Sequence, residues 1–236
     1  MDWIVALKGD EIDLQELAKV WNSPELTIEK GVTSYILKST HFVSLTSNEE
    51  VREKANELLI PINAGIKFLL GATKPIQIAH TTQIYPNGAK MSYQLCYKVL
   101  PLRAACSGET VTIDGKKEIQ NPADDIIYLS KIAQSDCQVT KVCQYINQDF
   151  DDRGNLYKIY EVIYKDGFTP LQRKGKYEKK AEIFRRTINN PSSSGLNSRH
   201  AMDDAPPEIP MTQSELKDFI RMVIQEWLET KMNKNT

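Results

Sequence analysis

Hydrophobic and polar positions change rhythm near the middle of the chain, and that change sets the expected architecture. At the start, Trp3-Ile4-Val5-Ala6-Leu7 is a short apolar run closed by Lys8-Gly9-Asp10, the pattern of a buried strand followed by a turn. Leu14, Leu17, Ala18 and Trp21 then recur at helical spacing behind Asp13, which the pattern makes the helix cap, and Pro24 ends the run. Strands are predicted over 26–29, 32–38 and 41–45. Ser47-Asn48-Glu49-Glu50 spells a capping box, in which the serine hydroxyl and Glu50 each satisfy the other's backbone amide. Val51, Ala55, Leu58, Leu59, Ile62, Ile66 and Leu69 hold one face of the helix it opens. Pro61 lies inside that face without shifting its phase, which predicts a kink rather than two helices. Strands over 77–84 and 90–99 flank Tyr85-Pro86-Asn87-Gly88, a hairpin signal because Asn and Gly accept positive φ. A second, weaker hairpin is predicted over 110–119, turning at Asp114-Gly115.

From Asn121-Pro122 onward only the helical period remains. Ile126, Leu129 and Ala133 share a face, as do Val139, Val142, Cys143 and Ile146, and then Leu156, Ile159, Tyr160 and Ile163. A highly charged helix is predicted over 177–188, and a loop rich in Asn, Ser, Pro and Gly over 189–210. Thr212-Gln213-Ser214-Glu215 is a second capping box, opening a helix with Leu216, Phe219, Ile220, Val223 and Trp227 inside. The expected class is α+β. Residues 1–120 form a domain with an antiparallel sheet, of roughly six or seven strands, and two helices. Residues 121–236 form an all-α helical domain.

Composition adds limits more than directions. With 41% hydrophobic and 26% charged residues in 236, wholesale disorder is excluded. A net charge of -1 supplies no global attraction to nucleic acid or membrane, so any such attraction must be local. The most apolar stretch, 58–70, is interrupted by Pro61, Asn63 and Lys67 and falls short of the about 20 residues a bilayer requires. The N-terminus lacks the pattern of a signal peptide, so a cytoplasmic location without membrane contact is expected. Cys96, Cys106, Cys137 and Cys143 lack zinc-site spacing and are expected to be free thiols, and no cofactor or metal is expected. His41 and His80 fall within predicted strands and are read as structural. The carboxylate pairs Asp124-Asp125, Asp151-Asp152 and Asp203-Asp204 lie at helix edges, where acids mark turns or favour the helix dipole.

Two local features bear on chemistry. Arg173, Lys174, Lys176, Lys179, Lys180, Arg185 and Arg186 crowd one short stretch, diluted by Glu178 and Glu182. Such a patch can neutralise phosphates and bind RNA, with a salt dependence that grows with each contact; it can equally be a solvated helix face whose acids pair with its lysines. His200, beside Arg199 in a polar loop, is the histidine whose setting suits proton transfer near neutrality. Arg186 or Arg199 would stabilise the charge developing on phosphorus. Ser192, Ser193 and Ser194 could bind phosphate or form a flexible linker. Tyr157, Tyr160 and Tyr164 could serve a partner surface, although Tyr160 shares the apolar stripe.

Over roughly Asn121 to Met232 the order of features resembles the HEPN superfamily of small helical proteins. The likeness runs from Leu156-Tyr157-Lys158-Ile159-Tyr160-Glu161 through the basic helix ending Phe184-Arg185-Arg186 and the polar stretch with His200. It ends where Pro206-Pro207-Glu208-Ile209-Pro210-Met211 leads into a closing helix. The resemblance implies a helical fold and, for the alternative function, a metal-independent ribonuclease using His200 with Arg186 or Arg199. The family's ribonucleases carry an arginine followed four to six residues later by a histidine; here Arg186 precedes His200 by fourteen positions and Arg199 adjoins it. The first expectation is therefore a non-catalytic binding or regulatory protein, its helical half mediating assembly with a protein partner or a second copy of itself.

Overall fold

A computed structural model describes residues 2–94, 122–172 and 174–234. The chain divides into two compact units, Met1–Lys131 and Ile132–Thr236, and the α+β class holds: a five-stranded antiparallel sheet in the first, helices in the second.

In the first unit the elements run β1 (Asp2–Lys8), α1 (Glu11–Val20), β2 (Leu26–Lys30), β3 (Tyr35–Ser39), α2 (Asn48–Leu69), β4 (Gln77–Ile84) and β5 (Lys90–Gln94). The sheet order is β2-β3-β1-β4-β5 with every neighbour antiparallel. The first six elements thus follow the split β-α-β-β-α-β layout of ferredoxin-like folds, and β5 extends the β4 edge. Alternation explains the layering. Trp3, Val5 and Leu7 of β1, Leu37 of β3 and Ile28 of β2 enter one core with Leu14 and Leu17 of α1 and Val51, Ala55, Leu59, Ile62 and Ile66 of α2. Trp3 keeps its indole N–H satisfied by donating to the Leu45 carbonyl at 3.1 Å.

Several boundaries move. Asp10, not Asp13, caps α1: its carboxylate accepts from the Ile12 amide at 3.0 Å. The expected strand over 41–45 is instead a 3-10 turn, Thr40–Phe42. Ser39 caps it by accepting from the His41 amide at 3.2 Å, and Phe42 drops into the core while Val43 faces out. α2 opens with the expected capping box and runs unbroken through Pro61. Amides of Thr46 and Ser47 hold the Glu50 carboxyl below its ordinary value. The Asn87-Gly88 turn forms with Gly88 at φ 81°, a conformation glycine adopts without steric cost. His80 lies in β4 as expected. The expected hairpin over 110–119, the end of the strand expected over 90–99, Cys96 and Cys106 lie outside the described residues.

α3 (Pro122–Ser135) crosses the division between units. Its Ile126 packs where Gly65 of α2 leaves room: a Cβ on Gly65 would sit 2.7 Å from the Ile126 Cγ2. The second unit continues with α4 (Cys137–Gln148), α5 (Arg153–Lys165), α6 (Glu178–Asn189), the single turn α7 (Pro191–Ser194) and α8 (Gln213–Lys234). Asp136 and Asp152 cap α4 and α5, and of the acids expected at helix edges Asp152 thus does what its position suggested. The stripes Val139-Val142-Cys143-Ile146, Leu156-Ile159-Tyr160-Ile163 and Leu216-Phe219-Ile220-Val223-Trp227 are all buried. Burial pushes the Cys143 thiol up to about 12, leaving it inert, whereas Cys137 is exposed. No helix among the described residues is long and apolar enough to cross a membrane.

Candidate functional site

Of the residues singled out in the helical unit, Arg185, Arg186, Arg199 and His200 gather at the C-terminal end of α6 and the tyrosines line a face of α5, whereas Lys174, Lys176, Lys179 and Lys180 lie at the N-terminal end of α6. Positions three and four apart on a helix share a side, so Tyr157, Tyr160, Glu161 and Tyr164 line one face of α5. Tyr157 and Tyr160 are buried, and Tyr160 lies 5.3 Å from Phe184 of α6. Tyr164 is 42% exposed and stacks on Tyr160 with centroids 6.0 Å apart and planes 19° from parallel. Burial pushes the Tyr160 hydroxyl up, while the positive charge of Arg185 nearby acts the other way.

α6 buries Ala181, Phe184, Thr187 and Ile188 and turns its charges outward. Those charges are largely engaged. Lys176 binds Glu226 of α8 at 2.7 Å and lies over the Tyr177 ring. Glu226 is held below its ordinary value by Lys176 and by the Tyr177 hydroxyl, which donates to it. Lys180 sits 5.7 Å from the Phe219 ring, and Arg186 pairs with Glu182 at 2.8 Å. Lys174 is exposed, and its backbone amide donates to Glu178 at 3.0 Å. Lys179 and Arg185 are exposed without an ion pair to another described residue. Arg173 lies outside the described residues. The basic stretch is thus interleaved with acids, not a continuous row of open cations.

The loop over 189–210 is ordered by a specific demand. A helix leaves its last four carbonyls without intrahelical partners. In α6 these belong to Arg186, Thr187, Ile188 and Asn189, and the chain that follows returns to take all four. Asn190 Nδ2 donates to the Arg186 carbonyl at 2.7 Å and Ser194 Oγ to the Thr187 carbonyl at 2.6 Å. The Arg199 amide donates to Ile188 at 2.9 Å and the His200 amide to Asn189 at 3.3 Å. Other bonds close the loop on itself. Asn190 Oδ1 accepts from the Asp204 amide, Asp203 from the Ser192 amide at 2.9 Å, and Thr187 Oγ1 from the Met211 amide at 3.1 Å. Arg153, the first residue of α5, forks across the base: Nε donates to Gln213 at 3.0 Å, and Nη1 to Ser194 Oγ at 2.5 Å and the Ser193 carbonyl at 3.3 Å.

This accounts for Arg199 and His200. Their backbones cap α6, and the Arg199 guanidinium lies 4.3 Å from the Tyr157 ring centroid and 4.0 Å from Glu161. His200 is exposed. The structure brings Arg186, Arg199 and His200 to one helix end. It turns the Arg199 guanidinium toward α5 and the Arg186 guanidinium toward Glu182, so no described arginine is hydrogen-bonded to the imidazole. Among the described residues no three His, Cys, Asp or Glu side chains gather as metal ligands.

Sequence reasoning missed the outer side of this loop. None of residues 191–210 is buried, yet Leu196, Met202 and Ile209 are 106%, 79% and 80% exposed on a backbone pinned by the bonds above. It also missed Arg153. One local signal was available: Asn190-Pro191 is a helix start, with asparagine at the cap and proline at the first helical position, in what composition marked as plain loop. No protein-family model, curated protein or solved structure matches the chain.

Proposed function

We propose that this is a non-catalytic binding protein whose helical unit docks a protein partner on the loop over 191–210. The observation that supports the reading is the exposure of Leu196, Met202 and Ile209 on an ordered backbone. Large apolar side chains held mostly in water contribute little to the fold, and pinning them lowers the entropy lost when a partner covers them. The test compares the full chain with the variant Leu196→Asp/Met202→Asp/Ile209→Asp, following capture of a stoichiometric partner and, by light scattering, self-association. Loss of the complex in a variant with unchanged circular dichroism supports docking at the loop. An unchanged complex removes the loop from the reading, and loss of self-association makes the partner a second copy.

A second reading, single-stranded RNA, is favoured by one arrangement: exposed Tyr164 stacked on Tyr160 beside Arg185. Bases stack on aromatic rings while arginines follow the backbone, without sequence preference. Salt-sensitive RNA binding that weakens in Tyr164→Ala and Arg185→Ala would support it. The ribonuclease alternative needs the His200 imidazole working with an arginine, and the engagement of Arg199 and Arg186 elsewhere gives it no support. RNA cleavage abolished by His200→Ala in a folded protein would reverse that judgement.

A further inference from the structure

We infer that residues 191–210 act as a hydrogen-bonded strap that opens and closes as one unit over the end of α6. A segment anchored by apolar burial comes away only with the core. This one has no buried residue of its own, and its large apolar side chains point to solvent. What closes it is polar: three donors onto the last carbonyls of α6, from Ser194, Arg199 and His200, the bonds from Asp203 and Asp204 back to Ser192 and Asn190, and the Arg153 fork. One cation–π contact, Arg199 on Tyr157, completes the closure. Water can replace each of these partners once the strap lifts, so opening sacrifices little apolar burial.

The bonds are also mutually dependent. Arg153 holds Ser194, Ser194 holds the Thr187 carbonyl, and Asn190 binds both the Arg186 carbonyl and the Asp204 amide. Releasing one clasp frees the chain that positions the next, which makes the strap two-state rather than a set of independent frays. A buried acceptor without a partner, Asn189 Oδ1, lies at its hinge and gains a solvent partner on opening. Closed, the strap holds Leu196, Met202 and Ile209 out in solvent and lays Arg199 over Tyr157. Open, it frees those side chains from a fixed backbone and bares the Tyr157 ring and the carbonyls of Thr187, Ile188 and Asn189. The consequence for partner docking rests on the proposed function; the opening itself does not.

Hydrogen exchange of the free full-length chain tests the strap without any partner. Peptides covering 191–211 should lose protection together, at least about 100-fold faster than the buried turns of α5 and α8. Arg153→Ala should speed exchange at Arg199 and His200, and Arg199→Ala should speed it at Ser193 and Ser194, each by on the order of tenfold. In both variants α5 and α8 should keep their protection. The exposed Arg199 provides the second variant should Arg153→Ala loosen the start of α5. The inference is overturned if strap amides exchange only with the core of α5 and α8, or if each substitution acts only on its immediate neighbours. Loss of partner capture with cooperative opening intact would instead count against the proposed function alone.

Discussion

Lys231 ties three helices of the second unit through charge, and its removal is the sharpest energetic test of the fold. Its ammonium lies 2.7 Å from Asp136 Oδ2 and 2.6 Å from Asp166 Oδ2, with the three side chains only 14%, 24% and 19% exposed. Asp136 caps α4, Asp166 caps the C-terminal end of α5, and Lys231 belongs to α8. The two carboxylates are not equally dependent on the lysine. Asp136 also accepts the Gln138 and Val139 amides at 2.9 and 3.2 Å, and a helix N-terminus favours its charge. Asp166 faces the negative end of a helix and otherwise accepts one bond, from the buried Trp227 indole at 2.8 Å. Breaking a fully buried ion pair costs about 3–5 kcal/mol, and exposed pairs are worth about 0–1. This site lies between, and part of its satisfaction survives, so Lys231→Met should cost about 2–3 kcal/mol.

Urea unfolding followed by circular dichroism would measure it, with an unchanged slope confirming that only stability has moved. Lys217→Met serves as the exposed control, since its partner Asp151 is 71% exposed; it should cost less than about 1 kcal/mol. Asp166→Asn should be destabilising alone yet recover about 1 kcal/mol in the Lys231→Met background, because it removes the stranded charge while leaving an acceptor for Trp227. A Lys231→Met cost no larger than that of Lys217→Met, or no recovery by Asp166→Asn, would refute the reasoning.

Two further outcomes follow from local geometry and charge. A Cβ on Gly175 would lie 2.5 Å from the carbonyl oxygens of both Thr169 and Pro170 and 2.8 Å from that of Gln172. Backbone must therefore move, and thermal melts of Gly175→Ala should show a loss of about 2–4 kcal/mol. Burial alone would raise the Asp136 carboxyl, but Lys231 and the Val139 and Gln138 amides outweigh it and hold the group below its ordinary value. Its contribution is thus present above the unfolded pKa and lost as pH falls through the folded one, below about pH 4. Burial likewise opposes the Lys231 charge, but its carboxylates raise the group; that contribution is complete below the unfolded value and lost above about pH 10. Urea midpoints measured across pH should drop at both ends, and Asp136→Asn should flatten the acid limb.

Period carried most of the fold. The stripes from Val139 to Trp227 are all buried because a helical face can be read without its partner, and the Ser47 and Thr212 caps depend on residues three positions apart. Failures occurred where a short apolar run was ambiguous. His41 to Leu45 is short and apolar enough to read as a strand, but Ser39 at the cap and Phe42 buried beneath it make a 3-10 turn. The order β2-β3-β1-β4-β5 was not legible, since it depends on which strands α1 and α2 carry past one another.

The candidate site was half legible, for a related reason. Arg185, Arg186, Arg199 and His200 stood out by residue type, and the fold does gather them at the end of α6. Their type drew attention to side chains, and the structure adds a backbone role at two of them. At 199 and 200 the backbone amides cap the Ile188 and Asn189 carbonyls, two of the four caps, and these no side-chain pattern encodes. A stretch of Asn, Ser, Pro and Gly was read as loop because such residues bond locally to the backbone. That same property lets Asn190 and Ser194 close α6 without apolar burial. With the inner side of the strap committed to hydrogen bonds, Leu196, Met202 and Ile209 have no core to enter and stay exposed, which is the ground of the proposed docking surface.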